Sequence, residues 1–532
     1  MNPSLTTTRR LGFWLVFVMF LFTMGLRLWI IHDFARTPYY QFIINVEGPD
    51  PNLFLRWADR IREGSWFLDA AASGRPFYIS PFYPFLISLS LLYRSHPLAL
   101  ILGAQALISS ALVFVYWDLG RRSGRVAAGI LAALLWSLYG PSAYYDACLI
   151  RASLVASAGF LVVWSWVVLR EHGRTLFAAF PLGCFLGFLT ALRPHVFLAA
   201  IPMRIAISAV RRKRAQFAAA GLLTLCTALL VISPMTLHNW KSARKVIPVS
   251  SQGVDALLLG NDLWGPGVGF FPTDHSRYLK RESEDRLAEA LRLIGGEILE
   301  NPGLFADLYL RKLRMTFNAY EIPSNFSYYV FRRLVPQSRV AGLGFGILLA
   351  LALPGTVLAL RRRGPAREIA AFGWMILLSI LPIHLQSRYR FPVTPFFVFL
   401  AGLFLESVFR NLFARRWLMP VAGIITALTI FGLTREAPSY GFLKATAPDG
   451  ITRPLTSAIR RSDYITWLLA LMLDEPTRHR NSVMELSAEA YGIFGTDFVA
   501  EFDRSVRRLR AEFASRPGVF RADYLRLHGF EA

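Results

Sequence analysis

The sequence predicts an all-α polytopic membrane protein, and three observations support this fold class. Of the 532 residues, 54% are hydrophobic and 17% are charged, and the mean hydropathy is +0.40. A soluble domain usually carries about a quarter charged residues. Long apolar runs alternate with short basic clusters along most of the chain. The basic clusters fall on alternate connections, as expected for a chain that crosses a bilayer many times.

About eleven apolar runs are candidates for membrane spans. The first, residues 11–31, follows Arg9 and Arg10 and so has the charge order of a signal sequence. It is about 20 residues long, which is enough to span a bilayer, and no small-residue cleavage site follows it. We therefore predict an uncleaved first helix. The other runs lie at about 97–119, 126–143, 149–169, 176–192, 195–210, 216–235, 338–360, 370–386, 392–410 and 417–433.

The distribution of charge predicts the topology. With the N-terminus inside, the cytoplasmic connections carry 18 basic residues against two acids, Glu171 and Glu368. The three short outward turns contain only three basic residues, Arg193, Arg388 and Arg390. This asymmetry follows the positive-inside rule. The inner segments supply 18 − 2 = +16 of the net charge of +23, so the basic character is a topology signal and predicts no nucleic-acid partner.

The same topology predicts two domains and a location. Long outward segments fall at about 32–96, 236–337 and 434–532. We predict a transmembrane domain over 1–433 and a small helical outer segment over 434–532, because residues 497–512 are amphipathic. Fifty-two arginines against six lysines are typical of a GC-rich bacterial genome, which places the protein in a bacterial cytoplasmic membrane.

The first outward segment contains an amphipathic stretch that begins at Asp50. Leu53, Phe54, Trp57 and Ile61 fall on one side of a helix, which predicts a short helix lying on the membrane surface. Asp50 followed by proline is also a good N-terminal cap, and that is the structural alternative to a chemical role. The apolar residues after the Ser80–Pro84 motif predict a second surface or re-entrant helix.

Further polar residues stand at the outward ends of the spans. Asp146 precedes a predicted span, where capping is again the alternative role. Arg151 lies deeper and needs a partner, for which Asp146 is the nearest candidate in sequence. Arg193, Arg388 and Arg390 occupy two short turns. Arginines there suit snorkelling to lipid head groups, and they equally suit a bidentate grip on a phosphate.

The order of these motifs resembles the GT-C superfamily of integral-membrane glycosyltransferases, in the branch of protein O-mannosyltransferases and lipid A aminoarabinose transferases. The resemblance covers about residues 10–435. Its motifs are Asp50 at the head of a helix, Ser80–Pro84, Asp146, Arg193-Pro194, His238-Asn239-Trp240, Pro248–Gly253, Gly260-Asn261, Tyr320–Asn325 and Arg388–Pro392. The sequence departs from the family where Asp50 is followed by proline rather than a second acid, and where Phe54 replaces a frequent tyrosine.

The resemblance implies transfer of a sugar from a polyprenyl-phosphate donor to the hydroxyl of a lipid, glycan or protein acceptor at the outer face. Asp50 would then be the general base of an inverting reaction. Asp146 would orient the acceptor or balance a charged partner. Arg388, Arg390 and Arg193 would hold the donor phosphate. Glu321, Asn261 and Lys245 would contact donor or acceptor, although a solvated loop acid is the alternative for Glu321.

No cofactor or metal is predicted, since neither histidines nor carboxylates stand at metal-ligand spacing. Cys148, Cys184 and Cys226 lie in or beside apolar runs without a CxxC pattern, which predicts packing residues. The main alternative function is a transporter or lipid flippase, which the absence of an internal repeat disfavours. A non-enzymatic assembly subunit, and a ligase that moves an oligosaccharide from a diphosphate carrier, also stay open.

Overall fold

A computed structural model gives the fold of the chain. It describes residues 3–45, 50–65, 76–90, 98–171, 175–194, 214–263, 286–322, 325–326, 328–361, 364–383, 385–434, 444–446 and 452–454. The helices are α1 Pro3–Ala35, α2 Pro38–Asn45, α3 Asp50–Arg62, α4 Phe82–Ser90, α5 Ala99–Arg122, α6 Val126–Ser137, α7 Gly140–Ala147, α8 Ala152–Glu171, α9 Thr175–Leu192, α10 Arg214–Ala243, α11 Gln252–Asn261, α12 Arg286–Glu300, α13 Pro302–Thr316, α14 Tyr328–Leu334, α15 Phe345–Leu360, α16 Pro365–Ser379, α17 Ser387–Arg390, α18 Thr394–Phe413 and α19 Leu418–Thr434. Short 3-10 turns occupy Pro336–Arg339 and Phe391–Val393.

The predicted membrane-spanning architecture is confirmed. Five helical stretches are long and apolar enough to cross a bilayer: Leu11–Ala35, Ala99–Arg122, Ala152–Glu171, Ala218–Ala243 and Ser387–Phe413. Shorter apolar helices accompany them at Val126–Ser137, Leu176–Leu192, Phe345–Leu360 and Leu418–Thr434. Every predicted run coincides with a helix except 195–210, which lies outside the described residues. The total of eleven spans stays a prediction.

Small residues allow the long helices to pack closely, as is common between helices in membranes. A Cβ atom added at Gly355 of α15 would overlap the carbonyl oxygen of Leu400 in α18. Gly183 and Gly187 of α9 lie in the same way against the backbone of α10. Neither contact has room for a methyl group, so these glycines set the distances between helix axes.

Ion pairs gather the helix ends at one side of the bundle. Arg122 at the end of α5 lies 2.7 Å from Glu171 at the end of α8, and Arg125 before α6 lies 3.1 Å from Glu406 in α18. Arg170 pairs with Glu368 in α16. These are segments that the charge pattern assigned to the cytoplasmic side, and the fold brings them together. Which face of the membrane they meet stays a prediction.

The first outward segment packs against the opposite end of the bundle. The predicted amphipathic helix is present as α3, and Phe54 on its buried side makes an edge contact with Tyr83 of α4, with ring centroids 5.3 Å apart. Asn239 near the end of α10 fixes the chain before α4: its Oδ1 accepts the amide of Phe77 (2.8 Å), and its Nδ2 donates to the carbonyl of Val249 (3.1 Å). The first and central outward segments therefore form one layer.

The segment 434–532 departs from the predicted helical content where it is described. Lys444–Thr446 and Thr452–Pro454 form an antiparallel pair of strands, β1 and β2. Between the two strands the sequence contains Pro448-Asp449-Gly450, a pattern that is typical of turns. The amphipathic stretch 497–512 lies outside the described residues.

The contact between α15 and α18 predicts a sharp cost for a single methyl group. Gly355→Ala should lower the free energy of unfolding by about 1–3 kcal/mol, because overpacking forces backbone shifts. Gly432→Ala in α19 is the matched control, since nothing lies within 4 Å of its added Cβ. Unfolding in detergent would measure both variants, and equal stability of the two would contradict the tight contact.

Candidate functional site

Asp50, the first residue of α3, stands at the centre of a polar cluster. Its carboxylate pairs with Arg388 of α17 and is 26% exposed. Asn325 holds it from two sides: Nδ2 of Asn325 donates to Oδ2 of Asp50 (3.1 Å), and Oδ1 of Asn325 accepts the Asp50 amide (3.2 Å). The bond from Arg388 also falls on Oδ2. Within the described part of the chain, Oδ1 of Asp50 therefore has no bonding partner.

Local backbone contacts explain why Arg388 and Asn325 meet at Asp50. Ser387 begins α17, and its hydroxyl accepts the amide of Ile322 (2.6 Å), while its own amide donates to the Ile322 carbonyl (3.4 Å). These two bonds join the start of α17 to the segment that leads to Asn325. The turn that contains α17 and the central outward segment are thus joined to each other, and together they hold the Asp50 carboxylate in place.

Two more arginines lie beside this pair. Arg193 directly follows α9, is 3% exposed, and places its Cζ 4.2 Å from the ring centroid of Tyr389. Among the described residues its Nε and Nη1 have no hydrogen-bond partner, and neither has Nε of Arg388. Arg151 directly precedes α8, and its charge acts on Asp50 and Arg388. We call Arg151, Arg193 and Arg388 the arginine cluster.

The electrostatics of the cluster favour an anion. Burial alone would raise the pKa of Asp50, but the charges of Arg388 and Arg151 and the bond from Asn325 outweigh it and bring that pKa below its usual range. Burial and repulsion from Arg151 and Arg388 lower the pKa of Arg193, although a guanidinium stays charged at neutral pH. Asp50 thus acts on Arg388 and Arg151, whereas the charges that act on Arg193 include both of these arginines. An added anion would relieve the repulsion among the three cations.

Asp146 lies elsewhere, in a fully buried network. Its Oδ2 accepts a bond from Arg27 of α1 (2.6 Å), and its Oδ1 accepts one from Ser153. Arg27 also donates to the hydroxyl of Ser142 (2.8 Å). The predicted partner Arg151 is not its partner in this network. With 0% exposure and both oxygens bonded, Asp146 fits a structural ion pair rather than an acceptor-orienting group.

Arg390 and Glu321 also form a structural unit. Arg390 is 3% exposed and donates to the carbonyls of Thr316 (3.2 Å), Asn318 (2.6 Å) and Tyr320 (3.0 Å). It also lies 3.1 Å from Glu321. An arginine at these carbonyls satisfies the C-terminal end of α13. Both terminal nitrogens of Arg390 are occupied in this way, with Glu321 as the counter-ion, so the geometry does not support the phosphate contact expected of Arg390.

The remaining predicted contacts do not join the cluster. Asn261 is buried, donates to the carbonyls of Leu257 (2.8 Å) and Pro382 (2.7 Å), and accepts from the Tyr309 hydroxyl (2.8 Å). It ties the central outward segment to the turn before α17. Lys245 is exposed after the end of α10. In the described ranges, no three His, Cys, Asp or Glu side chains converge as a metal site.

The sequence predicts Asp50, Arg193 and Arg388 as site residues, and the fold brings these three together. It does not predict that Asn325 and Arg151 also act on Asp50. Asn325 ends the Tyr320–Asn325 motif but received no role. For Arg151 the sequence predicts Asp146, the nearest acid along the chain, as the partner, whereas in the structure its charge acts on Asp50. Distance in sequence was a poor guide, because Asp50 lies about a hundred residues upstream of Arg151.

Comparisons with known proteins give distant structural similarity only. No protein-family model matches the chain, and no curated protein sequence does. The oligosaccharyltransferase AglB from Archaeoglobus fulgidus, solved with an inhibitory peptide and a dolichol-phosphate, is similar at 13% identity and a TM-score of 0.43, covering 80% of this chain and 55% of that one. The apo oligosaccharyltransferase of the same organism gives 12% identity, a TM-score of 0.44, and 80% and 56% coverage. The chain thus spans little over half the length of these proteins.

The buried network predicts that Asp146 supports the fold. Asp146→Asn removes the negative charge opposite Arg27, and an uncompensated buried charge costs about 3–5 kcal/mol of unfolding free energy. Asp59→Asn is the matched control, because Asp59 is 49% exposed and its pair with Arg62 lies on the surface. Thermal unfolding in detergent should show a large loss for the first variant and little change for the second. Equal melting temperatures would contradict the structural role.

Proposed function

We propose that the protein transfers a sugar from a polyprenyl-phosphate donor to an acceptor hydroxyl at the outer face of the membrane, with Asp50 as general base. The observation that carries the proposal is the cluster itself: one partly exposed carboxylate with three arginines around it. A base and an anion site side by side are what such a transfer requires.

The free oxygen of Asp50 suits the base. Because Arg388 and Asn325 both bond Oδ2, no described residue occupies Oδ1, which could accept the proton of the acceptor hydroxyl. The lowered pKa keeps the carboxylate ionised at neutral pH. The acceptor oxygen would form a bond to the anomeric carbon as its proton passes to Oδ1, on the face opposite the leaving group in an inverting reaction.

The arginine cluster suits the leaving group. The bond between the anomeric carbon and the phosphate oxygen breaks, and the phosphate keeps the electron pair and gains one negative charge. Asp50 loses its negative charge in the same step. Since Arg388 would lie beside both groups, the total negative charge near it stays constant while that charge moves from the carboxylate to the phosphate. Prepositioned donors of this kind typically lower a barrier by about 3–4 kcal/mol each.

The position of the cluster supports a lipid-linked donor. Arg151 precedes α8, Arg193 follows α9 and Arg388 is the second residue of the apolar stretch Ser387–Phe413. All three therefore stand at ends of membrane helices, where we infer that they meet lipid head groups. A polyprenyl tail could stay among the helices while its phosphate meets the guanidinium groups. This boundary position differs from the midplane sites typical of secondary transporters.

Replacing the base tests the chemistry. Asp50→Asn should abolish turnover at temperatures where the variant is folded. Its melting temperature should fall, because Arg388 loses its counter-charge, although the amide oxygen can still accept from Arg388. The assay measures release of undecaprenyl phosphate from a panel of undecaprenyl-phosphate-linked sugars, so its readout is the same for every sugar and acceptor. Asp59→Asn, on the same helix, should retain wild-type turnover. Unchanged release by Asp50→Asn would refute the role of Asp50.

Binding of the carrier tests the anion site separately. Undecaprenyl phosphate at 100 times its Kd should stabilise the wild type by about 2.7 kcal/mol in detergent. Arg193→Ala and Arg388→Ala should each lose most of this stabilisation. Arg416→Ala is the control, because Arg416 is exposed after α18, at the opposite end of that helix from Arg388. Equal stabilisation of all four proteins would place the phosphate elsewhere.

A further inference from the structure

Asn325 and Asp50 hold each other by a reciprocal pair of bonds. The side-chain amide of Asn325 donates to the carboxylate, and its carbonyl oxygen accepts the backbone amide of Asp50. The second bond satisfies one of the free N–H groups at the start of α3. Two contacts to one residue fix both its backbone and its side-chain direction, which a single bond would not do.

We propose that Asn325 is a positioning residue that keeps Asp50 directed at the acceptor when Arg388 turns its hydrogen bonds to the donor phosphate; this rests on the function proposed above. Arg388 is the only other group bonded to the carboxylate among the described residues. Its Nε is unpartnered there, so the guanidinium has donors left for an anion. Asp50 and a phosphate would then compete for the N–H donors of the Arg388 guanidinium.

A neutral amide is suited to this task. A second cation at the position of Asn325 would also be attracted to the phosphate and could leave the carboxylate with it. An amide has no net charge, so the arrival of an anion alters its bond to Asp50 far less. The bond also falls on Oδ2 and not on Oδ1, the oxygen to which the acceptor proton is proposed to pass.

The support of Asn325 is part of the buried core. The next residue, Phe326, stacks on Tyr40 with ring centroids 5.4 Å apart, and its carbonyl accepts the Tyr144 hydroxyl (2.7 Å). On the other side, Ile322 is joined to Ser387. Asn325 is therefore held by groups that do not take part in phosphate binding, as a preorganised site requires.

The bond from Asn325 also affects the basicity of Asp50. A donor to the ionised carboxylate lowers its pKa, as do the charges of Arg388 on α17 and Arg151 before α8, the other groups that act on Asp50. Loss of the amide donor should therefore raise the pKa of Asp50. The acid limb of the pH–rate profile, where the base becomes protonated, should move to higher pH.

The test compares Asn325→Ala, the isosteric Asn325→Asp, and Asn411→Ala as a matched control. The side chain of Asn411 bonds only the carbonyl of Ser407 among the described residues, and it lies at the opposite end of α18 from the cluster. The assay is again release of undecaprenyl phosphate, with kcat, the KM for the lipid-linked donor, and the pH profile as separate readouts. For Asn325→Ala we expect a fall in kcat of about 100-fold, the scale of a misplaced reacting group.

The other readouts separate positioning from general damage. In Asn325→Ala, the donor KM and the stabilisation by undecaprenyl phosphate should stay within about twofold of wild type, a change of roughly 0.4 kcal/mol, since the arginine cluster is intact and no charge is added. The acid limb should move to higher pH in Asn325→Ala, and further in Asn325→Asp, where a second carboxylate replaces the donor. Asn325→Asp keeps the acceptor for the Asp50 amide and the size of the side chain, so it decides the question if the alanine variant does not fold.

Two outcomes would overturn the inference alone. Wild-type kcat and pH profile in both Asn325 variants, beside an inactive Asp50→Asn, would show that Asp50 needs no second support. A raised donor KM with unchanged kcat would mean that Asn325 contacts the donor instead. Failure of the proposed function gives a different result, namely unchanged release by Asp50→Asn.

Discussion

The ion pair between Asp50 and Arg388 joins residues that are 338 positions apart and depends on the whole bundle. Asp50 is presented by α3, which packs on α4, while Arg388 is presented by the turn that leads into α18. Any shift of the first outward segment against the late helices would separate the two charges. The polar site is therefore a property of the assembled fold, and the contacts of Asn239 and Ser387 serve to hold its two halves in register.

Asp146 and Asp50 are two carboxylates near the same end of the bundle, and they differ in burial and in hydrogen bonding. Asp146 is completely buried and both of its oxygens are bonded, so its charge is matched by Arg27 and has no access to a ligand. Asp50 is partly exposed, and one of its oxygens has no partner in the described structure. Burial with full hydrogen bonding makes an acid structural, whereas partial exposure with an open oxygen leaves it available for proton transfer.

The sequence predicted the helices well, because a segment that crosses the bilayer must be helical and its apolar run is visible in the hydropathy. It also selected Asp50, Arg193 and Arg388, because charged residues are expensive near a membrane and few stand at the ends of spans. It could not separate Arg388 from Arg390, two positions away in the same motif. The distinction arises from the backbone carbonyls of residues 316–320, which occupy the donors of Arg390 only once α13 has ended beside it. Because every residue has a backbone carbonyl, such partners cannot be recognised from the amino-acid sequence.

Arginines at the two ends of the bundle differ in what surrounds them. At one end, Arg122, Arg125 and Arg170 each pair with a carboxylate, on Glu171, Glu406 and Glu368 respectively. At the other end, the arginine cluster has Asp50 as its only carboxylate among the described residues. A buried guanidinium without a counter-ion is costly, so a fold that keeps Arg193 in this state needs a compensating gain. An anionic ligand would supply that gain, and the ligand that we propose is a phosphate, because a guanidinium group can bind it with two parallel hydrogen bonds.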